Sequence, residues 1–103
     1  MIYVIGAVTG IEELNRPAFE QVREKAEKDN PGKIVVIPHD HIPKNTTWQD
    51  AMRRSIHTLT EADKVYVVQQ PELLALSRGY QLESCVVKAL NMQMTRVEVG
   101  VNG

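Results

Sequence analysis

Short apolar runs alternating with segments of helical period constrain this chain more than any other feature. Residues 2–5 (IYVI) end at Gly6, residues 33–38 (KIVVIP) are β-branched and almost continuously apolar, and residues 64–68 (KVYVV) repeat that pattern. Residues 95–101 (TRVEVGV) form a fourth run. Runs of this length without polar alternation are the pattern of strands covered on both faces. Between the first two, Asn15 is placed as an N-cap with Pro17 in the first turn. Phe19, Val22 and Ala26 then recur at helical spacing until Asp29-Asn30-Pro31-Gly32 stops the element. Residues 39–45 read as a polar loop, after which Thr47 and Asp50 make a T-x-x-D capping pattern. Met52, Ile56 and Leu59 form the buried stripe of a second helix, ended by the turn Glu61-Ala62-Asp63. A loop at Gln69, Gln70 and Pro71 leads into the leucine-rich residues 72–76. Ser77-Arg78-Gly79 then opens a third helix with apolar positions at Leu82, Val86, Ala89 and Leu90.

Strands alternating with helices imply β-α-β units, right-handed crossovers and a mainly parallel sheet. The expected fold is a three-layer α/β/α domain with four to five strands, flavodoxin- or Rossmann-like. With 103 residues, 43% of them hydrophobic, there is enough material for one core and too little for two, so residues 1–103 read as a single domain. Twelve Lys plus Arg against thirteen Asp plus Glu provide no summed positive field to hold a polyphosphate backbone, which argues against nucleic acid as a partner. The apolar N-terminal segment lacks a basic leader and is far short of the roughly 20 residues that span a bilayer, which argues against a membrane. One cysteine, Cys85, has no Cys/His spacing partner. It fits a reducing cytoplasm, makes structural zinc untenable and reads as a packing residue. No cofactor is expected.

In open α/β sheets, ligands bind outside the carboxyl ends of the strands, so the segments to search are residues 6–10, 39–48 and 69–83. Glu83 is the most informative residue there, because it shares a helix face with Tyr80, Val86, Val87 and Leu90. A carboxylate held against apolar surface near a helix N-terminus suits a nucleophile or an acid/base group. A Glu at the edge of the stripe, capping or pairing with Arg78 or Lys88, fits the same spacing. Ser77 and Gly79 begin that helix, where unpaired N–H groups can receive an anion, though an ordinary N-cap serine and a tolerated glycine look the same in sequence. Gly6 and Gly10 bracket a loop suited to a phosphate or ribose, without forming a dinucleotide fingerprint or a P-loop. Trp48 reads as a base-stacking residue or as a hydrophobic plug at a helix start. Asp63 reads as a turn or cap residue. His39-Asp40-His41 lacks further spaced ligands and reads as a solvated loop with at most one substrate contact rather than a metal site.

Three stretches together resemble the nucleoside 2-deoxyribosyltransferase-like superfamily. They are Tyr3 to Gly10 (YVIGAVTG), Ala62-Asp63-Lys64-Val65-Tyr66, and Ser77-Arg78-Gly79-x-x-x-Glu83. That superfamily includes deoxyribosyltransferases, 2'-deoxynucleoside 5'-phosphate N-hydrolases and small, often phage-encoded domains of unknown function, and the last group is the most similar. The resemblance implies that Glu83 attacks the anomeric carbon of a nucleoside or nucleotide, and that water or a second base resolves the glycosyl ester. It further implies that Ser77 and Gly79, with the loop containing Thr9 and Gly10 and with Arg78, hold a 5'-phosphate, that Tyr3 and Gly6 line the base and sugar pocket, that Trp48 borders it, and that Asp63, in the matched strand segment, is among the substrate-binding residues. Two departures stand out: Ser55 occupies the position where the superfamily carries an aspartate, and Ala7 and Thr9 replace a serine and an arginine of the phosphate loop.

The expected function is therefore an N-glycosidase or deoxyribosyltransferase acting on a nucleoside 5'-monophosphate or nucleoside. The alternatives are a non-catalytic module that binds or sequesters a nucleotide, and a structural α/β domain with a protein partner. The resemblance also implies a homo-oligomer, because superfamily members complete their pockets across a subunit interface.

Overall fold

The computed structural model describes residues 1–100. Its sheet has four strands, β1 (Ile2–Ile5), β2 (Val35–Val36), β3 (Lys64–Gln69) and β4 (Gln93–Glu98), all parallel, in the order β2-β1-β3-β4. Helix α1 (Arg16–Asp29) crosses from β1 to β2, and α2 (Trp48–Glu61) from β2 to β3. A short helix α3 (Pro71–Leu76) and then α4 (Arg78–Ala89) carry the chain from β3 to β4. One face of the sheet, through Ile2, Val4, Tyr66 and Val68, packs on Phe19, Val22 and Ala26 of α1. The other, through Tyr3, Ile5, Val65 and Val67, packs on Leu59 of α2, Leu74 of α3 and Tyr80 and Val87 of α4. This is the three-layer α/β/α arrangement, with the strand order of flavodoxin-like domains.

The direction of winding reverses between β1 and β3, so the segments following those strands diverge and leave a crevice at the sheet's carboxyl edge. Thr47 caps α2 as its spacing predicts, accepting a bond from the Asp50 N–H at 3.2 Å, and Ser77 caps α4 by accepting from the Tyr80 N–H at 3.1 Å. Among the described residues, no helix is long and apolar enough to cross a membrane.

Several local expectations are corrected. The second strand is confined to Val35–Val36, because it pairs only with Ile2 and Tyr3, it runs into Pro38, which has no N–H for a ladder, and Ile34 is 71% exposed. The fourth begins at Gln93 rather than Thr95 and extends to Glu98; Val101 lies outside the described residues. Residues 71–76 are helical. On α4 the sheet covers Tyr80, Glu83, Ser84 and Val87, whereas Leu82, Ala89 and Leu90 are exposed, so the buried stripe is rotated from the one expected. Cys85 is exposed and fills no gap in the core. Asn15 occupies the cap position of α1, but in a left-handed conformation (φ 61°) and without capping through its side chain.

Candidate active site

A cavity of about 410 Å³ opens at the carboxyl edge of the sheet, within the range of roughly 300–1,000 Å³ typical of small-molecule sites. Gly6, Val8, Thr9 and Leu14 form the wall that follows β1. Pro38, His39, Ile42 and Lys44 form the wall that follows β2. Trp48, Met52 and Ser55 contribute from α2, and Leu76, Ser77, Arg78, Gly79 and Glu83 from the α3–α4 junction. Seven of the ten residues selected from sequence therefore share one cavity: Gly6, Thr9, Trp48, Ser77, Arg78, Gly79 and Glu83.

Glu83 is the only carboxylate in that lining and is 5% exposed. Its side chain projects from the sheet-facing side of α4, and its Oε2 accepts a hydrogen bond from Ser55 Oγ at 2.5 Å. No hydrogen bond among the described residues reaches Oε1. Removal from water disfavours the charged form and pushes the carboxyl up to about 7; the Ser55 bond pulls in the opposite direction and only partly offsets burial. In the sequence Ser55 stands out only through the resemblance, as a serine where the resembled superfamily carries an aspartate. In space it is the direct partner of the carboxylate. A signal was present, since Ser55 lies three residues after Met52 and four before Leu59, a polar side chain on the buried stripe of α2 in the same way that Glu83 interrupts the stripe of α4.

Tyr3 does not line the cavity. It is fully buried on β1, and its hydroxyl lies 2.8 Å from Ser55 Oγ and 3.3 Å from His41 Nε2. Burial holds the phenol well above its ordinary range, so it remains a neutral donor and acceptor. Gly6 lines the cavity but is required for packing: a Cβ there would stand 2.9 Å from Val68 Cβ and 3.1 Å from Phe19 Cζ. Gly79 is less constrained, with only the flexible Met52 Sδ at 3.1 Å from such a Cβ. Ser77 uses an oxygen lone pair to cap α4, which leaves its hydroxyl hydrogen available to a ligand at the same helix end. Arg78 places its guanidinium 4.3 Å from the Trp48 ring centre, so one face of the tryptophan is covered by a cation and the two helix starts are joined across the cavity mouth.

Two selected residues lie elsewhere. Gly10 is exposed with φ 81°, a turn position outside the cavity lining. Asp63 stands just before β3, at the opposite end of the sheet, where its 61% exposed carboxylate pairs with the Met1 amino group. Parallel strands all start at that end, so Asp63, at the start of β3, lies the length of the strand away from a site beyond its carboxyl terminus.

His39 and Asn15 were missed as organisers. Glu13, Leu14 and Asn15 adopt consecutive left-handed conformations, and the Asn15 amide ties this turn to Ala7 O at 2.8 Å and to Gln70 Oε1 at 2.7 Å. His39 Nε2 lies 2.7 Å from Leu14 O, and its ring meets Phe19 edge-on. Nothing in the residue types announced the left-handed turn beyond an asparagine that tolerates it. In the His39-Asp40-His41 stretch, Asp40 pairs with Arg23 and the two imidazoles turn to different partners, so the three do not converge on one point.

The fold and the cavity define a flavodoxin-like α/β domain with one buried carboxylate at the bottom of a pocket on the sheet's carboxyl edge. Residues 1–96 match the family described as "Domain of unknown function (DUF4406)", and the chain belongs to that family. A search of the curated proteins finds no match to it.

Proposed function

We propose that the protein is an N-glycosidase or deoxyribosyltransferase acting on a nucleoside 5'-monophosphate or nucleoside through a glycosyl ester on Glu83. The observation that carries this is the Glu83 carboxylate, buried at the cavity floor, bonded at Oε2 by Ser55 and without a partner at Oε1 among the described residues. Oε1 attacks the anomeric carbon, the bond to the base breaks, and the base leaves with the electron pair and takes a proton from water. A water molecule or a second base then attacks the same carbon and releases Glu83. The Ser77 hydroxyl, the free N–H groups at the start of α4 and the cations Arg78 and Lys44 supply donors for a 5'-phosphate. The resemblance of the Ser77-Arg78-Gly79-x-x-x-Glu83 segment to the deoxyribosyltransferase-like superfamily supports the same assignment.

A nucleophile must be ionised, so base release should rise with pH through the Glu83 midpoint near 7. That midpoint, with a serine rather than an acid beside Glu83, favours a second reading in which the cavity binds a nucleotide without cleaving it. The cytoplasm, where a lone exposed thiol such as Cys85 stays reduced, is the compartment we assign. We also propose a homo-oligomer, because among the described residues the outer edges of β2 and β4 are unpaired and the resemblance implies a shared pocket; sedimentation at a single monomer mass would refute it.

The deciding experiment incubates the protein with ribo- and deoxynucleoside 5'-monophosphates, with and without an acceptor base, and follows free base and exchanged nucleotide by chromatography. Release that disappears in Glu83→Gln is expected. Full turnover in that variant removes the assignment, and calorimetric binding without products establishes the second reading.

A further inference from the structure

His41, Tyr3, Ser55 and Glu83 form an unbroken line of hydrogen-bonding groups contributed by four separate segments. The steps are 3.3 Å from His41 Nε2 to Tyr3 Oη, 2.8 Å from Tyr3 Oη to Ser55 Oγ and 2.5 Å from Ser55 Oγ to Glu83 Oε2. Phenylalanine would fill the site of Tyr3 equally well, and a hydroxyl buried in the first strand is tolerated because both its neighbours are polar. Each hydroxyl in the line has one hydrogen to donate, so the direction of the whole series is decided at its ends.

We propose that His41 is a positioning residue for Glu83, acting through Tyr3 and Ser55: an N–H at Nε2 directs the Tyr3 hydrogen to Ser55 and the Ser55 hydrogen to the Glu83 carboxylate. This deepens the assignment of Glu83 as nucleophile and rests on it. When Nε2 instead presents its lone pair, Tyr3 donates to His41, Ser55 donates to Tyr3, and the carboxyl must bring its own proton to Ser55 Oγ. One arrangement holds Oε2 as an ionised acceptor and leaves Oε1 free to attack; the other holds a neutral acid. Passage between them with His41 initially neutral moves one proton at each link, from Glu83 to Ser55, from Ser55 to Tyr3 and from Tyr3 to Nε2, and ends as carboxylate and imidazolium. His41 is half-buried and outside the cavity lining, so it stays in reach of solvent when a ligand fills the cavity.

The charged groups around the line act on its two ends. Burial disfavours the protonated imidazole of His41, Asp40 favours it and Arg54 opposes it, and the net effect lowers its pKa. Glu83 shares the cavity with His39, Lys44 and Arg78, and on the sheet side its charge acts on Tyr3.

Infrared titration of the Glu83 carboxylic stretch, assigned by its disappearance in Glu83→Gln, tests this without turnover. Tyr3→Phe and His41→Phe should each raise the ionisation midpoint of Glu83 by roughly one pH unit, because the carboxylate loses an oriented donor. His41→Gln, which restores an N–H without a titrating ring, should bring it back toward that of the parent protein. An unmoved midpoint in Tyr3→Phe or in His41→Phe, or an equal rise in His41→Gln and His41→Phe, overturns the assignment; circular dichroism establishes that each variant is folded. Absence of base release in the parent protein, with these shifts present, overturns only the glycosidase reading. Base release with unmoved midpoints overturns only the role of His41.

Discussion

A carboxylate placed where water cannot reach it must either find donors or take up a proton, and Glu83 does some of each. Its ordinary value of 4.5 rises to about 7 because burial outweighs the single Ser55 bond. The folded protein therefore binds this proton more tightly than the unfolded chain. The resulting stabilisation is complete below pH 4.5 and is lost as pH rises through 7, a swing of roughly 3 kcal/mol. Glu83→Gln removes this slope. Urea denaturation should thus show the variant gaining on the parent protein by roughly that amount between pH 4.5 and 8, and parallel stability curves for the two proteins would contradict the burial described for Glu83. The same residue is asked to be stable as an acid and active as a base, a conflict commonly found at functional sites.

At the scale of elements, the cavity exists because three connections are held apart by contacts of different stiffness. The tip of β1 is clamped between β3 and α1, where only Gly6 fits beside Val68 and Phe19. The start of α4 leans on a methionine of α2, which can move. Gly6→Ala should consequently cost about 1–3 kcal/mol through overpacking, while Gly79→Ala should change stability by less than about 1 kcal/mol. Thermal denaturation of the two variants compares them directly, and an equal loss in both would show that the β1 tip is not the stiffer contact. The Trp48–Arg78 stack is the corresponding link between α2 and α4. As the chain has one tryptophan, Arg78→Ala should alter its emission without a background to subtract.

At the scale of the whole molecule, an all-parallel sheet sends every strand end that matters to the same side. Residues from three connections meet there although they are widely separated in sequence, and residues at strand starts are excluded. Asp63→Asn should therefore leave base release within about twofold of the parent protein, whereas substitutions at Ser55 or Glu83 should not; a tenfold loss in Asp63→Asn would mean that the two ends of the sheet communicate.

Strand number, strand direction, the α2 and α4 caps and the placement of Glu83, Ser77 and Gly79 at the sheet's carboxyl edge were all legible in the sequence, because each rests on local chemistry: β-branched runs, a capping hydroxyl three residues before its amide, a carboxylate on an apolar stripe. Tertiary structure alone decided which face of α4 is buried, since Leu82 and Leu90 satisfy the helical period as well as Tyr80 and Val87 do. It alone shortened β2, left Asp63 outside the site and turned Asn15 into a tie between the loops after β1 and β3. It also made Ser55 the partner of Glu83 and placed Tyr3 and His41 behind it. These depend on which distant groups the folded chain brings within 3 Å of one another, and no periodicity along the chain encodes that.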